Sequence, residues 1–154
     1  MRWPLFLSLL SLPTLVFSQS EQLIAEHAAL TSDCKSVRGH AQGIVSEASQ
    51  SELNRDVALA QAQEVSKALE SMADRLASTK KLLTATQSKS VASQYKTLEA
   101  LCDDLRKECA SIEKELSKAH PDRIKVRNMA VDLRIKMKNG SAEHDLIKKK
   151  LGIR

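Results

Sequence analysis

The side chains able to do chemistry in this chain are few, and they fall at helical spacing. Cys34 belongs to the run Leu23, His27, Leu30, Cys34, Val37, Ala41, Ile44 and Ala48. Cys102 and Cys109 belong to Val91, Tyr95, Leu98, Cys102, Leu105, Cys109, Ile112, Leu116 and Ala119. Both runs step by four and three residues, which places side chains along one face of a helix that meets a partner helix. The thiols are therefore expected to point inwards. If three helices stack up-down-up with turns near Ala48 and Gln87, a rise of about 1.5 Å per residue levels Cys34 with Cys109 and leaves Cys102 two turns lower. A Cys34–Cys109 disulfide is then expected, constraining the unfolded chain by roughly 4 kcal/mol at most, with Cys102 a free thiol. The competing expectation is three reduced cysteines acting as small hydrophobes. The same levelling gathers His27, Met72 and Cys102, and imidazole, thioether and thiolate together form a soft ligand set suited to copper or haem iron.

The elements that must position these residues are long helices. The first is expected over about Ser20 to Ser46, with Gly39 and Gly43 inside it; each costs about 1 kcal/mol relative to Ala unless it allows close helix contact. A second seam runs through Ala58, Ala62, Val65, Leu69, Met72, Leu76, Thr79 and Leu83. The polar stretch Ser46–Ser51 separates the two, and Ser49 with Glu52 has capping-box spacing. The two seams share one heptad phase, so a single rod is the alternative. A turn is preferred because a lone rod would leave its seam without a partner. The heptad phase changes across Thr84–Ser90, and a third helix is expected from about Ser90 to Lys118. His120-Pro121-Asp122 stops it and starts another.

Beyond Pro121 two stripes compete: Ile124, Val131 and Ile135 on one, Val126, Met129, Ala130, Leu133 and Met137 on the other. Asn139-Gly140 reads as a helix stop, with Ser141 capping a short last helix through Lys150. The fold class expected is all-α: an antiparallel, coiled-coil-like three-helix bundle with an additional C-terminal helical hairpin. Residues 19–120 form the bundle and 121–154 a basic segment packed on the same domain.

The chain opens with Arg2 followed by the apolar run Leu5–Phe17, and Val16 and Ser18 suit a cut after Ser18. Residues 1–18 are thus expected to be a cleavable signal peptide, and the protein to be secreted or periplasmic, with no transmembrane helix in the mature chain. Aromatics make up 3% of the residues, so the core must be aliphatic. Charge is uneven. Residues 19–120 carry 13 basic and 15 acidic side chains, whereas residues 121–154 carry 10 basic and 4 acidic. Lys136, Lys138, Lys148, Lys149 and Lys150 are the expected contact with an anionic surface such as lipid headgroups, a charged polysaccharide or nucleic acid, without specific nucleic-acid recognition.

Two short segments resemble known elements. His120-Pro121-Asp122 is similar to the tripeptide of J-domain co-chaperones. Leu83-Thr84-Ala85-Thr86-Gln87 resembles the Leu-Thr-x-x-Gln element of small periplasmic helical stress chaperones, and that resemblance implies a holdase. Asn139-Gly140-Ser141 is a glycosylation sequon. Cys-x-x-Cys-His, His-Glu-x-x-His, a Gly-rich phosphate loop and Gly-x-Ser-x-Gly are all missing from the sequence. No catalytic residue and no required cofactor are expected. The expected function is an exported, non-catalytic bundle that binds a partner protein, a second copy or an anionic surface by helix packing. A periplasmic metal- or haem-binding bundle, or a holdase, is the alternative.

Overall fold

The computed structural model describes residues 12–153, with side chains from Gln19 onwards. The chain forms four helices in sequence: α1 (Leu12–Ser49), α2 (Arg55–Leu82), α3 (Ala85–Leu116) and α4 (Arg123–Leu151). Each packs on its sequence neighbour, and α4 closes the ring against α1. No α1 residue brings its Cα within 8 Å of one in α3, nor does any α2 residue reach α4. The architecture is thus a square, up-down-up-down four-helix bundle. The first eleven residues of the expected leader lie outside the described residues; Leu12–Ser18 continue α1.

The expected all-α antiparallel bundle is the fold, and its first three seams are the buried faces. Leu23 through Ala48 on α1, Ala58 through Thr79 on α2 and Val91 through Leu116 on α3 are all buried. Leu83 and Ala119, the last residues of their runs, fall outside the buried set. The core is almost wholly Leu, Ile, Val, Ala and Met. Each fully buried large aliphatic contributes about 1.5–3 kcal/mol, which aliphatic seams on four helices supply without aromatic bulk.

The helix ends differ from expectation because capping, rather than polarity, sets them. The turn between α1 and α2 exists, but Asn54 is the N-cap, accepting from the Val57 amide at 3.2 Å. Ser49 instead donates to the Val45 carbonyl at 2.7 Å and stays helical. Between α2 and α3 the link is only Leu83-Thr84. Thr84 and Gln87 form a reciprocal capping box, so α3 starts at Ala85 rather than Ser90. Asp122 caps α4 by accepting from Lys125 at 3.0 Å. Gly152, at φ 71°, closes it in the left-handed conformation that glycine adopts freely.

The C-terminal hairpin is one helix. Asn139-Gly140 does not stop it, because Gly140 is a packing residue: a Cβ there would collide with Leu101 Cδ2 on α3 and lie 2.8 Å from Met137 Cε. The seam therefore continues through Val126, Ala130, Leu133, Met137, Gly140, His144 and Ile147. The stripe of Ile124 and Ile135 is left exposed.

The two glycines of α1 are unequal. A Cβ on Gly43 would meet Gln61 Oε1 at 2.8 Å, whereas nothing lies within 4 Å of one on Gly39. Gly39→Ala should therefore gain about 1 kcal/mol in urea unfolding from helix propensity. Gly43→Ala should not, since it displaces Gln61, whose Oε1 sits 2.7 Å from His40 Nδ1. Equal gains from both variants would contradict this packing.

Candidate functional site

Each helix brings one polar side chain to a single buried layer. His27 comes from α1, Thr79 from α2, Tyr95 from α3 and His144 from α4, and all four are at most 2% exposed. His27 Nδ1 lies 2.9 Å from His144 Nε2, with the rings nearly parallel and their centroids 5.2 Å apart. Tyr95 Oη lies 3.4 Å from His27 Nε2. The Thr79 hydroxyl sits beside the Tyr95 phenol and donates to carbonyls of its own helix at Arg75 (2.9 Å) or Leu76 (3.0 Å). Thr79 is held by α2's own carbonyls, as a buried hydroxyl in a helix must be.

The N···N contact dictates protonation. One ring donates and the other accepts, so at least the accepting imidazole must be neutral. In one sense Tyr95 donates to His27 Nε2 and His27 Nδ1–H donates to His144. In the other, His144 donates to His27 and His27 to the phenol. Burial pushes both imidazoles down, each to about 4, and the positive Lys148 near them adds to the shift. Glu26 and Asp145 oppose it weakly. Burial also raises the Tyr95 phenol. The layer is a closed, neutral hydrogen-bonded chain.

Sequence reasoning placed His27 with Met72 and Cys102, and the structure does not. Cys102 lies seven residues beyond Tyr95 on α3, about 10 Å along the axis from the histidine layer. Its level is that of Cys34, since the two lie seven residues beyond His27 and Tyr95, which meet in the layer. Cys109 lies against α2, its Sγ 3.2 Å from the Ala62 carbonyl. All three cysteines are free and buried, and the Cys34–Cys109 cross-link is not formed. The levelling failed because α2 is shorter than turns at Ala48 and Gln87 imply, and each residue removed from it slides α3 against α1 by two. The diagonal placement of α1 and α3 adds a second obstacle, since a disulfide needs Cα atoms within about 7 Å. Burial raises each thiol to about 11, which makes them poor nucleophiles. Among the described residues no three His, Cys, Asp or Glu side chains are placed to hold a metal ion.

His144 escaped notice because a helix stop at Gly140 takes it off the seam. Once α4 is continuous, the four-and-three rhythm reaches it directly.

The five C-terminal lysines also separate. Lys136 is caged by Asp104 (3.0 Å), Glu108 (3.0 Å) and Asp132 (3.2 Å), joining α4 to α3. These carboxylates raise its pKa. Lys148 pairs with Asp145 at 3.1 Å. Lys150 donates to the Ser90 carbonyl at 2.9 Å and to Gln94 at 3.0 Å. Lys138 and Lys149 stay exposed, and no described ion pair includes them. A second basic cluster lies where α4 meets α1. Lys35 and Arg38 of α1 and Arg134 of α4, with Gly39 and Gln42, line a shallow depression. Gln42 holds Arg134 by accepting from its guanidinium. Lys138 lies one turn further along α4.

No family model, curated protein or solved structure matches the chain.

The histidine pair predicts a pH dependence with a definite sign. Both imidazoles titrate near 6.5 when unfolded and near 4 when folded. As pH falls below about 6.5 the unfolded chain takes up protons first, so stability declines from there and flattens near about 4. Glu115, lowered to about 2 by Lys118 and Lys125, adds acid sensitivity only below its unfolded value. Melting temperature measured from about pH 7.5 down to 4.5 should therefore fall in the native chain. In the double variant His27→Leu/His144→Leu that slope should largely vanish. A slope unchanged in the double variant would show that the imidazoles are not buried together.

Proposed function

We propose that the protein is an exported, non-catalytic helical bundle that binds an anionic partner on the outer surface of the α1/α4 pair. The observation that carries this reading is the depression where Lys35, Arg38 and Arg134 converge without a carboxylate among its lining residues. No described ion pair includes any of the three. Two other inter-helix cations are neutralised as the helices pack. Arg75 bridges Glu26 (3.1 Å) and Asp33 (3.0 Å) between α2 and α1, and Lys136 is enclosed by three carboxylates. Basic groups left unpaired side by side repel one another, and an incoming anion relieves that repulsion.

All four apolar seams face one another within one chain, which moves the partner-binding surface from the seams to the outer faces. His27, Tyr95 and His144 bond one another and Thr79 bonds its own helix, and this favours a structural role for them over catalysis. The Leu83–Gln87 segment that resembles a stress-chaperone element has a sufficient explanation in helix capping by Thr84 and Gln87. Export rests on the leader expected at residues 1–18.

Heparin-agarose tests the groove. The mature chain should be retained and eluted by salt, because screening weakens exposed charge interactions. The triple variant Lys35→Glu/Arg38→Glu/Arg134→Glu should elute at much lower salt. Lys96→Glu/Lys107→Glu/Lys114→Glu makes the same charge change at exposed α3 positions and should shift elution far less. Equal shifts would mean that retention reports net charge, not a site.

A further inference from the structure

The outer face of α4 carries a feature that charge alone does not explain. Among the described residues five large hydrophobics are exposed, and three lie on this helix: Ile124 (65%), Ile135 (49%) and Leu146 (45%). They recur every eleven residues, which is three turns of a straight helix, so they form one line parallel to its axis. The line is about 33 Å long at 1.5 Å per residue, and the half-buried Val131 lies between its first two members. No other helix of the fold covers it.

Beside this line run the basic residues. Arg127, Arg134 and Lys138 follow α4 at steps of seven and four, Lys149 continues further along, and Lys35 and Arg38 extend the cluster onto α1. Of the α4 carboxylates nearest the line, Asp145 pairs with Lys148 at 3.1 Å, and Asp132 shares Lys136 with Asp104 and Glu108 of α3. The outcome is an apolar ridge with a cationic flank.

We propose that this face lies flat on an anionic lipid bilayer, with Ile124, Ile135 and Leu146 entering the headgroup–acyl boundary and Lys35, Arg38, Arg127, Arg134 and Lys138 meeting lipid phosphates. This rests on the anionic-partner reading and gives the partner its chemistry. A soluble polyanion would use the charges and leave the apolar line in water. A bilayer interface accepts both, because long basic side chains keep their charges among headgroups while apolar groups sink below them. Contact is peripheral: among the described residues no helix is long and apolar enough to cross a membrane.

Co-sedimentation of the mature chain is measured with vesicles of phosphatidylcholine alone and of phosphatidylcholine mixed with phosphatidylglycerol, with heparin-agarose in parallel. Circular dichroism melts confirm that each variant is folded. Binding should occur to the phosphatidylglycerol vesicles and fall with salt. Ile124→Ser/Ile135→Ser/Leu146→Ser should lower vesicle partitioning by about tenfold or more while leaving heparin elution unchanged. The Lys35→Glu/Arg38→Glu/Arg134→Glu variant should lose both. Heparin retention without vesicle binding would overturn the lipid assignment and leave the anionic reading standing, as would vesicle binding indifferent to the apolar triple variant. Absence of both in the native chain would overturn both.

Discussion

The register of this bundle depends on one buried polar layer. Heptad seams of Leu, Val, Ala and Met are nearly degenerate: a slip of seven residues still places apolar groups against apolar groups. His27, Thr79, Tyr95 and His144 remove that degeneracy. Displacing α1, α3 or α4 by two turns would strand a buried nitrogen or hydroxyl without its partner, at about 1–3 kcal/mol for each group, whereas Thr79 of α2 keeps the carbonyls of its own helix. Other contacts share the register of this layer. Cys34 lies level with Cys102, Cys109 against Ala62, and Gly140 under Leu101.

Charge reinforces the register from outside. Arg75 ties α2 to two carboxylates of α1, and Lys136 ties α4 to Asp104 and Glu108 of α3. Glu115, 4% exposed, draws Lys118 (2.8 Å), Lys125 (3.1 Å) and the Asp122 amide (3.2 Å) into the α3–α4 turn. With Lys80 of α2 paired to Glu99 of α3 at 2.8 Å, ion pairs cross three of the four edges of the square. No described ion pair crosses the α1/α4 edge, where Lys35, Arg38 and Arg134 lie, and this links the packing scheme to the surface proposed for anionic lipid.

The buried faces of α1, α2 and α3 were legible because a four-and-three rhythm needs no knowledge of where helices end. The relative heights of the helices were not, because they depend on those ends. A capping box at Thr84–Gln87 and an N-cap at Asn54 move the turns by several residues, and every residue counts twice in the offset between α1 and α3. That error produced both the Cys34–Cys109 bridge and the His27–Met72–Cys102 cluster. Gly140 misled for a different reason. The same residue type ends helices and lets them approach closely, and only the presence of Leu101 across the interface decides which. The basic character of the C-terminal segment was legible as composition. Which lysines stay free was not, since that depends on carboxylates of α3 that α4 meets only after folding.

His27 and His144 share an N–H···N hydrogen bond inside the bundle. Nitrogen-15 NMR of the histidine side chains tests it directly. A through-bond coupling is expected between one nitrogen of His27 and one of His144, with both rings neutral until the pH approaches about 4. Independent titration of the two rings near 6.5, with no coupling between them, would contradict it.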